Sequence, residues 1–222
     1  MTRSKASARV GILGGTFNPI HLAHLRCAEE VREAQKLDRV LFIPSATPPH
    51  KAGRELLAVE HRLRMARLAV AGNPNFKVSG IEIERPGHSY SVDTLRLLRA
   101  QMPGVAFSFI MGADAFREIE TWKEYESLFS LCDIVVISRP PYDHCALAEA
   151  LPVAVRSQFC YSENVLEHRT GNKTIFQHVT DLDISASSIR RRLARGLSIR
   201  YLVPPSVEDY ITQHGLYVRR LR

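Results

Sequence analysis

Short apolar runs alternate along this chain with longer stretches in which apolar residues recur every three or four positions. The runs at 10–13, 40–43, 76–78 with 81–83, 106–111 and 134–137 read as buried strands, and a less distinct one falls at 174–179. The amphipathic stretches predict helices over 22–35, 59–70, 92–99, 187–195 and 207–214, with a short one after Ala113. Strands separated by helical patterns of this length predict βαβ units, and so a doubly wound, mostly parallel α/β sheet. In that class a ligand sits beyond the carboxyl ends of the strands. The weakest pattern lies over 142–173, which reads as an insertion or a poorly specified region. No internal repeat or low-complexity segment interrupts the order.

Composition changes this picture little. A length of 222 residues suits one core, so a single domain over 1–222 is expected, with the basic, Ser-containing 1–8 as a flexible tail. That tail lacks the apolar core of a signal peptide. The hydrophobic share is 45% and the charged share 24%, and no apolar stretch approaches the roughly 20 residues of a membrane helix. The four cysteines, Cys27, Cys132, Cys145 and Cys160, show no CxxC spacing and no disulfide density, which points to a reducing cytoplasm. His144, Cys145, Cys160, His168 and His178 match no zinc-ligand framework, so no protein-made metal site is expected. A net charge of +7 suits an anionic partner, either nucleic acid or a small phosphate ester. The densest basic run, 188–196, belongs to no nucleic-acid module such as an RRM or zinc finger, and the other basic residues are widely spread. The small phosphate is the better reading.

Two constellations carry candidate chemistry. The first is GGTFNPIHLAHL at 14–25, which follows the first strand and opens the first helix. Its glycines let a ligand approach the backbone closely. With Gly11 they fit neither G-x-G-x-x-G nor G-x-x-x-x-G-K-[ST], which removes the main support for hydride transfer and Walker-type ATPase chemistry. His21 and His24, three apart, share one face of the first helical turn, where free backbone N–H groups favour anions. Two imidazoles there could donate to a phosphate whose charge grows during reaction. Alternatively, one caps the helix and the other is simply exposed. The second constellation is ISASSIRRRL at 184–193, where Ser185, Ser187 and Ser188 gather at a helix start and Arg190 can reach the same anion. An ordinary Ser cap with a solvated basic face is the alternative. Together the two helix starts would clamp a polyphosphate from opposite sides of one strand edge.

These two segments resemble the GGxFxPxHxxH and ISxTxIR signatures of the nucleotidyltransferases, in the same order. PSATPPHK (44–51), HSYSVDTL (88–95), FIMGADAF (109–116), TWKEYE (121–126), ISRPPY (137–142) and VEDYITQHGLY (207–217) narrow the likeness to the bacterial nicotinate-nucleotide adenylyltransferases. The resemblance covers most of the chain and is weakest over 143–173. It implies a Rossmann-like fold and transfer of AMP from ATP to nicotinate mononucleotide by direct in-line attack, with Mg²⁺ held mainly by substrate phosphates. It also implies no nucleic-acid or membrane partner, and it leaves a homo-oligomer open.

By the same resemblance, His21, His24 and Arg190 serve the reacting phosphates. Gly14, Gly15, Thr16 and Phe17 form the turn over the nucleotides, and Ser187 and Ser188 hold the triphosphate. Gly112 and Asp114 lie beside the adenosine, although Asp114 could equally be a plain helix cap. His50, Lys51, Tyr90, Ser91, Trp122 and Lys123 surround the mononucleotide. Ser91 stands where members often carry Thr. Lys123 stands where some carry Tyr, which exchanges an aromatic wall for a cation near the expected substrate carboxylate.

Overall fold

The computed structural model describes residues 7–49, 56–138, 149–162 and 165–218. Eight strands form one sheet in the order β3-β2-β1-β4-β5-β8-β7-β6. They are β1 (Arg9–Gly15), β2 (Arg39–Pro44), β3 (Phe76–Val78), β4 (Ala106–Gly112), β5 (Asp133–Ser138), β6 (Phe159–Ser162), β7 (Val165–His168) and β8 (Lys173–His178). All neighbours from β3 through β8 pair in parallel, as the alternation of strand and helix patterns requires. The helices are α1 (Leu22–Ala34), α2 (Val59–Val70), α3 (Ser91–Gln101), α4 (Ala113–Arg117), α5 (Tyr125–Leu131), α6 (Val153–Arg156), α7 (Ala186–Leu193) and α8 (Pro205–Gln213).

Period-two alternation sorts the strands onto two faces. Val10, Ile12, Leu41, Ile43, Phe107, Phe109, Met111, Ile134 and Val136 point into one core, closed by Val92, Leu95 and Leu98 of α3 and Leu128 and Phe129 of α5. Leu13, Val40, Phe42, Ile110 and Val135 point into the other, closed by α1, α2, α7 and α8 through Cys27, Val31, Met65, Ile189, Val207 and Ile211. Strands buried on both faces explain why their sequences read as unbroken apolar runs.

Four expectations change. Residues 81–83 form a turn, since the Ile83 and Glu84 N–H groups both donate to the Gly80 carbonyl rather than to a strand. Their apolar-acidic-apolar alternation reflects burial of Ile81 in the core and of Glu82 against Thr94. The stretch 142–173 supplies α6 and the antiparallel strands β6 and β7, which widen the sheet beyond β8. Helix α5, with Tyr125, Leu128 and Phe129 at helical spacing, is an additional element. Of the expected tail, residues 7 and 8 are held: Ser7 Oγ donates to the Gly104 carbonyl, and the Ala106 N–H donates to the Ala8 carbonyl at 2.8 Å.

The strand order reverses between β1 and β4, whose parallel register runs to Leu13 opposite Ile110. A crevice at their carboxyl ends is where this architecture places a ligand.

Candidate active site

The first wall of that crevice is the turn from β1 to α1. At Gly14 the nearest heavy atom to an added Cβ would be Phe109 Cζ at 4.0 Å, so glycine leaves open surface at the strand end. At Gly15 an added Cβ would press on the Phe17 ring at 3.3 Å. Phe17 adopts φ of 45°, a conformation that costs a bulky residue about 1 kcal/mol or more. Its ring, 2% exposed, is turned inward against Phe42 at 6.0 Å and the edge of His24 at 5.1 Å. With the residue as a whole buried, the ring offers no stacking surface, which narrows the expectation for Phe17.

His21 and His24 do not both lie within the helix. His21 is the N-cap, in extended conformation, and His24 is the third helical residue. The two are tied through the backbone and one ring: the His24 N–H donates to the His21 carbonyl at 3.0 Å, and His24 Nδ1 accepts the His21 N–H at 3.2 Å. The rings stack with centroids 3.6 Å apart. An Nδ1 that accepts leaves the proton of the neutral ring on Nε2, so the donor of His24 is its Nε2–H. Local capping and phosphate donation were alternatives in sequence. The bond from the His21 N–H fixes the His24 ring and makes them compatible.

The second wall is the start of α7. Ser185 is the N-cap, its Oγ accepting the Ser188 N–H at 3.2 Å and lying 3.2 Å from Ser187 Oγ. Ser187 is exposed and Ser188 half-buried. Arg190 Nη1 donates to the Asn18 carbonyl at 2.7 Å. This bond carries a side chain of α7 onto the turn that opens α1, and so joins the two helix starts expected to clamp a polyphosphate. Arg190 forms no ion pair with a carboxylate among the described residues.

Beneath the turn lies Arg62 of α2, 1% exposed, whose guanidinium donates to the carbonyls of Leu57 (2.9 Å), Thr16 (2.8 Å) and Ala46 (3.3 Å). Burial holds its pKa below the ordinary arginine value. Thr16 is thus fixed from below, and Gly15 is fixed by the Ser45 N–H, which donates to its carbonyl at 2.8 Å.

Gly112 closes β4 and caps α4, and Asp114 folds back so closely that a Cβ on Gly112 would strike its carboxylate. The N-cap of α4 is Gly112 rather than Asp114, whose side chain is exposed at the strand end. Tyr90 is the N-cap of α3 and Ser91 its first residue. Trp122, half-buried, meets Phe109 of β4 edge-on at 6.1 Å. The Lys123 ammonium lies over the Tyr90 ring at 5.0 Å and is shared with Asp93 at 3.0 and 3.2 Å. Tyr90, Ser91 and Lys123 therefore form one neighbourhood, although Lys123 is partly committed to Asp93. His50 and Lys51 lie outside the described residues.

Sequence reasoning missed Asn18, Arg62 and Glu82. Arg62 had a legible signal, a charge in the same helical register as buried Met65 and Ala66. Glu82, 8% exposed, accepts the Thr94 hydroxyl at 2.7 Å, and burial raises its pKa against the opposing effect of Ser89 and Thr94 hydrogen bonds. The adjoining loops are tied by Thr47 and Ser89, which exchange hydrogen bonds at 2.9 and 3.2 Å. An open cleft of about 720 Å³ between Leu22, Arg200, Tyr201 and Asp209 contains none of the predicted site residues.

The cytidylyltransferase-like family model matches residues 12–192. The class that the fold and the two joined helix starts define is therefore a nucleotidyltransferase. A probable nicotinate-nucleotide adenylyltransferase of Geobacter metallireducens is 54% identical over 211 residues, 94% of this chain and 98% of that one. Another, of Citrifermentans bemidjiense, is 53% identical over 212 residues, with 95% and 98% covered. The chain belongs to the nicotinate-nucleotide adenylyltransferase family. The fold is shared with Plasmodium falciparum nicotinic acid mononucleotide adenylyltransferase complexed with NaAD, with a TM-score of 0.75, 19% identity, and 97% of this chain and 100% of that one covered.

Proposed function

We infer that the protein transfers AMP from ATP to nicotinate mononucleotide, giving nicotinate adenine dinucleotide and pyrophosphate. The observation that carries the chemistry is the Arg190 hydrogen bond to the Asn18 carbonyl, which joins two helix starts at the switch point of the sheet. Family membership carries the identity of the acceptor.

In this reading a phosphate oxygen of the mononucleotide attacks the α-phosphorus of ATP. The bond from that phosphorus to the bridging oxygen breaks, and pyrophosphate leaves in line. Negative charge shifts onto the leaving pyrophosphate and is spread over the α-phosphate oxygens. The His24 Nε2–H is the donor assigned to the α-phosphate, and the Arg190 guanidinium, with Ser187 and Ser188, is assigned to the β- and γ-phosphates. His24 and Arg190 are held before substrate arrives by bonds to His21 and Asn18, so little reorganisation accompanies reaction. Asp114 receives the ribose and Trp122 the pyridine ring.

Among the described residues no three His, Cys, Asp or Glu side chains cluster so as to hold a metal ion. By the family likeness Mg²⁺ is assigned to the substrate, as the magnesium complex of ATP.

The test is pyrophosphate release with MgATP and, in turn, nicotinate mononucleotide, nicotinamide mononucleotide and phosphopantetheine, with products identified by mass. A strong preference for the nicotinate acceptor is expected. Turnover with another acceptor alone would overturn the acceptor assignment while retaining the phosphate chemistry.

A further inference from the structure

Asn18 is 2% exposed, and both of its oxygens are engaged by parts of the chain far from it in sequence. Its backbone carbonyl accepts Arg190 Nη1 at 2.7 Å, and its side-chain Oδ1 accepts the Tyr217 hydroxyl, also at 2.7 Å. The fold goes to some length to bring that hydroxyl in. After α8 the chain turns through Gly215 at φ of 55°, with the Leu216 N–H bonded back to the Ile211 carbonyl at 3.0 Å. Leu216 enters the core, and Tyr217 is itself held at φ of 63°, a conformation that costs a tyrosine about 1 kcal/mol or more. A side chain kept in such a conformation is held by its surroundings, and here the contact that its polar end makes is with Asn18.

We propose that Tyr217 is a positioning residue for the ATP triphosphate, acting through Asn18 and Arg190. The phenolic O–H fixes the Asn18 carboxamide, and with it the peptide whose carbonyl receives the Arg190 fork. With one N–H committed there, the guanidinium retains four donors and a restricted orientation for an anion. Two guanidinium groups, Arg62 and Arg190, act electrostatically on the phenol, yet burial dominates and keeps it protonated, so the donor persists across the working pH range. The proposal rests on the reading of ATP as the nucleotide substrate.

Tyr217→Phe removes the hydroxyl and leaves the ring. Loss of one such hydrogen bond is expected to raise KM for ATP by about two- to tenfold. KM for nicotinate mononucleotide should move by less than about twofold, the scale of effects at sites that share no partner. Arg190→Ala, and the double variant, complete a cycle in which Tyr217→Phe should add nothing once Arg190 is gone. A Tyr217→Phe variant with a lowered Tm and an unchanged KM for ATP would overturn the proposal, as would full additivity in the double variant. Direct titration of each variant with ATP separates the possible failures. A wild-type protein that binds ATP but uses another acceptor refutes only the acceptor assignment, and the cycle can still be read from ATP affinity. A wild-type protein that binds no ATP refutes both.

Discussion

The bond from the His21 N–H to His24 Nδ1 at the start of α1 allows the two jobs of His24 to be separated by substitution. Asn places its Oδ1 near the position of imidazole Nδ1 and can still accept the His21 N–H, but it has nothing at the Nε2 position. Gln reaches the Nε2 position with an amide N–H and gives up the cap. If His24 stabilises the transition state through Nε2–H, His24→Asn loses one preorganised donor, a loss of about 2.7–4 kcal/mol, or about 10²–10³ in kcat. Its Tm should stay near that of the wild type, because the bond at 3.2 Å is kept. His24→Gln loses that bond instead, worth about 0.5–1.5 kcal/mol, which in a chain of this size lowers Tm by about 1–6 °C. It should retain more kcat than the Asn variant. The assay is pyrophosphate release at saturating MgATP and nicotinate mononucleotide, with single-turnover measurements to isolate the chemical step, beside thermal unfolding of each variant. An Asn variant within threefold of wild-type kcat, a margin of about 0.65 kcal/mol, would refute the catalytic assignment and leave His24 as a helix cap.

Two further outcomes follow from charged groups. Burial raises the Glu82 pKa above its unfolded value of 4.5. Above that value the unfolded chain releases the proton before the folded one does, so this group's contribution to stability falls as pH rises towards the folded pKa. Glu82→Gln, which can still accept the Thr94 hydroxyl, should match the wild type near pH 4 and exceed its Tm at pH 7–8. A Tm difference that does not vary with pH would contradict this account. Lys123→Ala should lower the preference for nicotinate over nicotinamide mononucleotide by about two- to fivefold, a modest change because the ammonium is exposed and shared with Asp93. An unchanged ratio of the two kcat/KM values would remove Lys123 from acceptor selection.

The parallel part of the fold was legible because both faces of its strands are buried, which leaves unbroken apolar runs between amphipathic helices. The β6–β7 hairpin was not legible. Its strands are four residues each, and at the sheet margin residues such as Cys160 and Tyr161 remain exposed, so no long apolar period forms. Residues 81–83 misled for the opposite reason, since a strand-like alternation arose there from the separate burial of Ile81 and Glu82 in a turn.

The same division runs through the site. By itself the sequence determined which chemical groups are present and which local elements carry them: glycines at the end of β1, two histidines at one helix start, serines and an arginine at another. Those features depend on neighbours within a few positions, and spacing records them. Only the tertiary structure decided that the His21 N–H fixes the His24 ring, that Phe17 turns inward, and that Arg190 and Tyr217 meet on the two oxygens of Asn18. Contacts across 172 and 199 positions leave no periodic trace, because they arise when separate helices pack on one sheet face and bring their polar ends together at its edge.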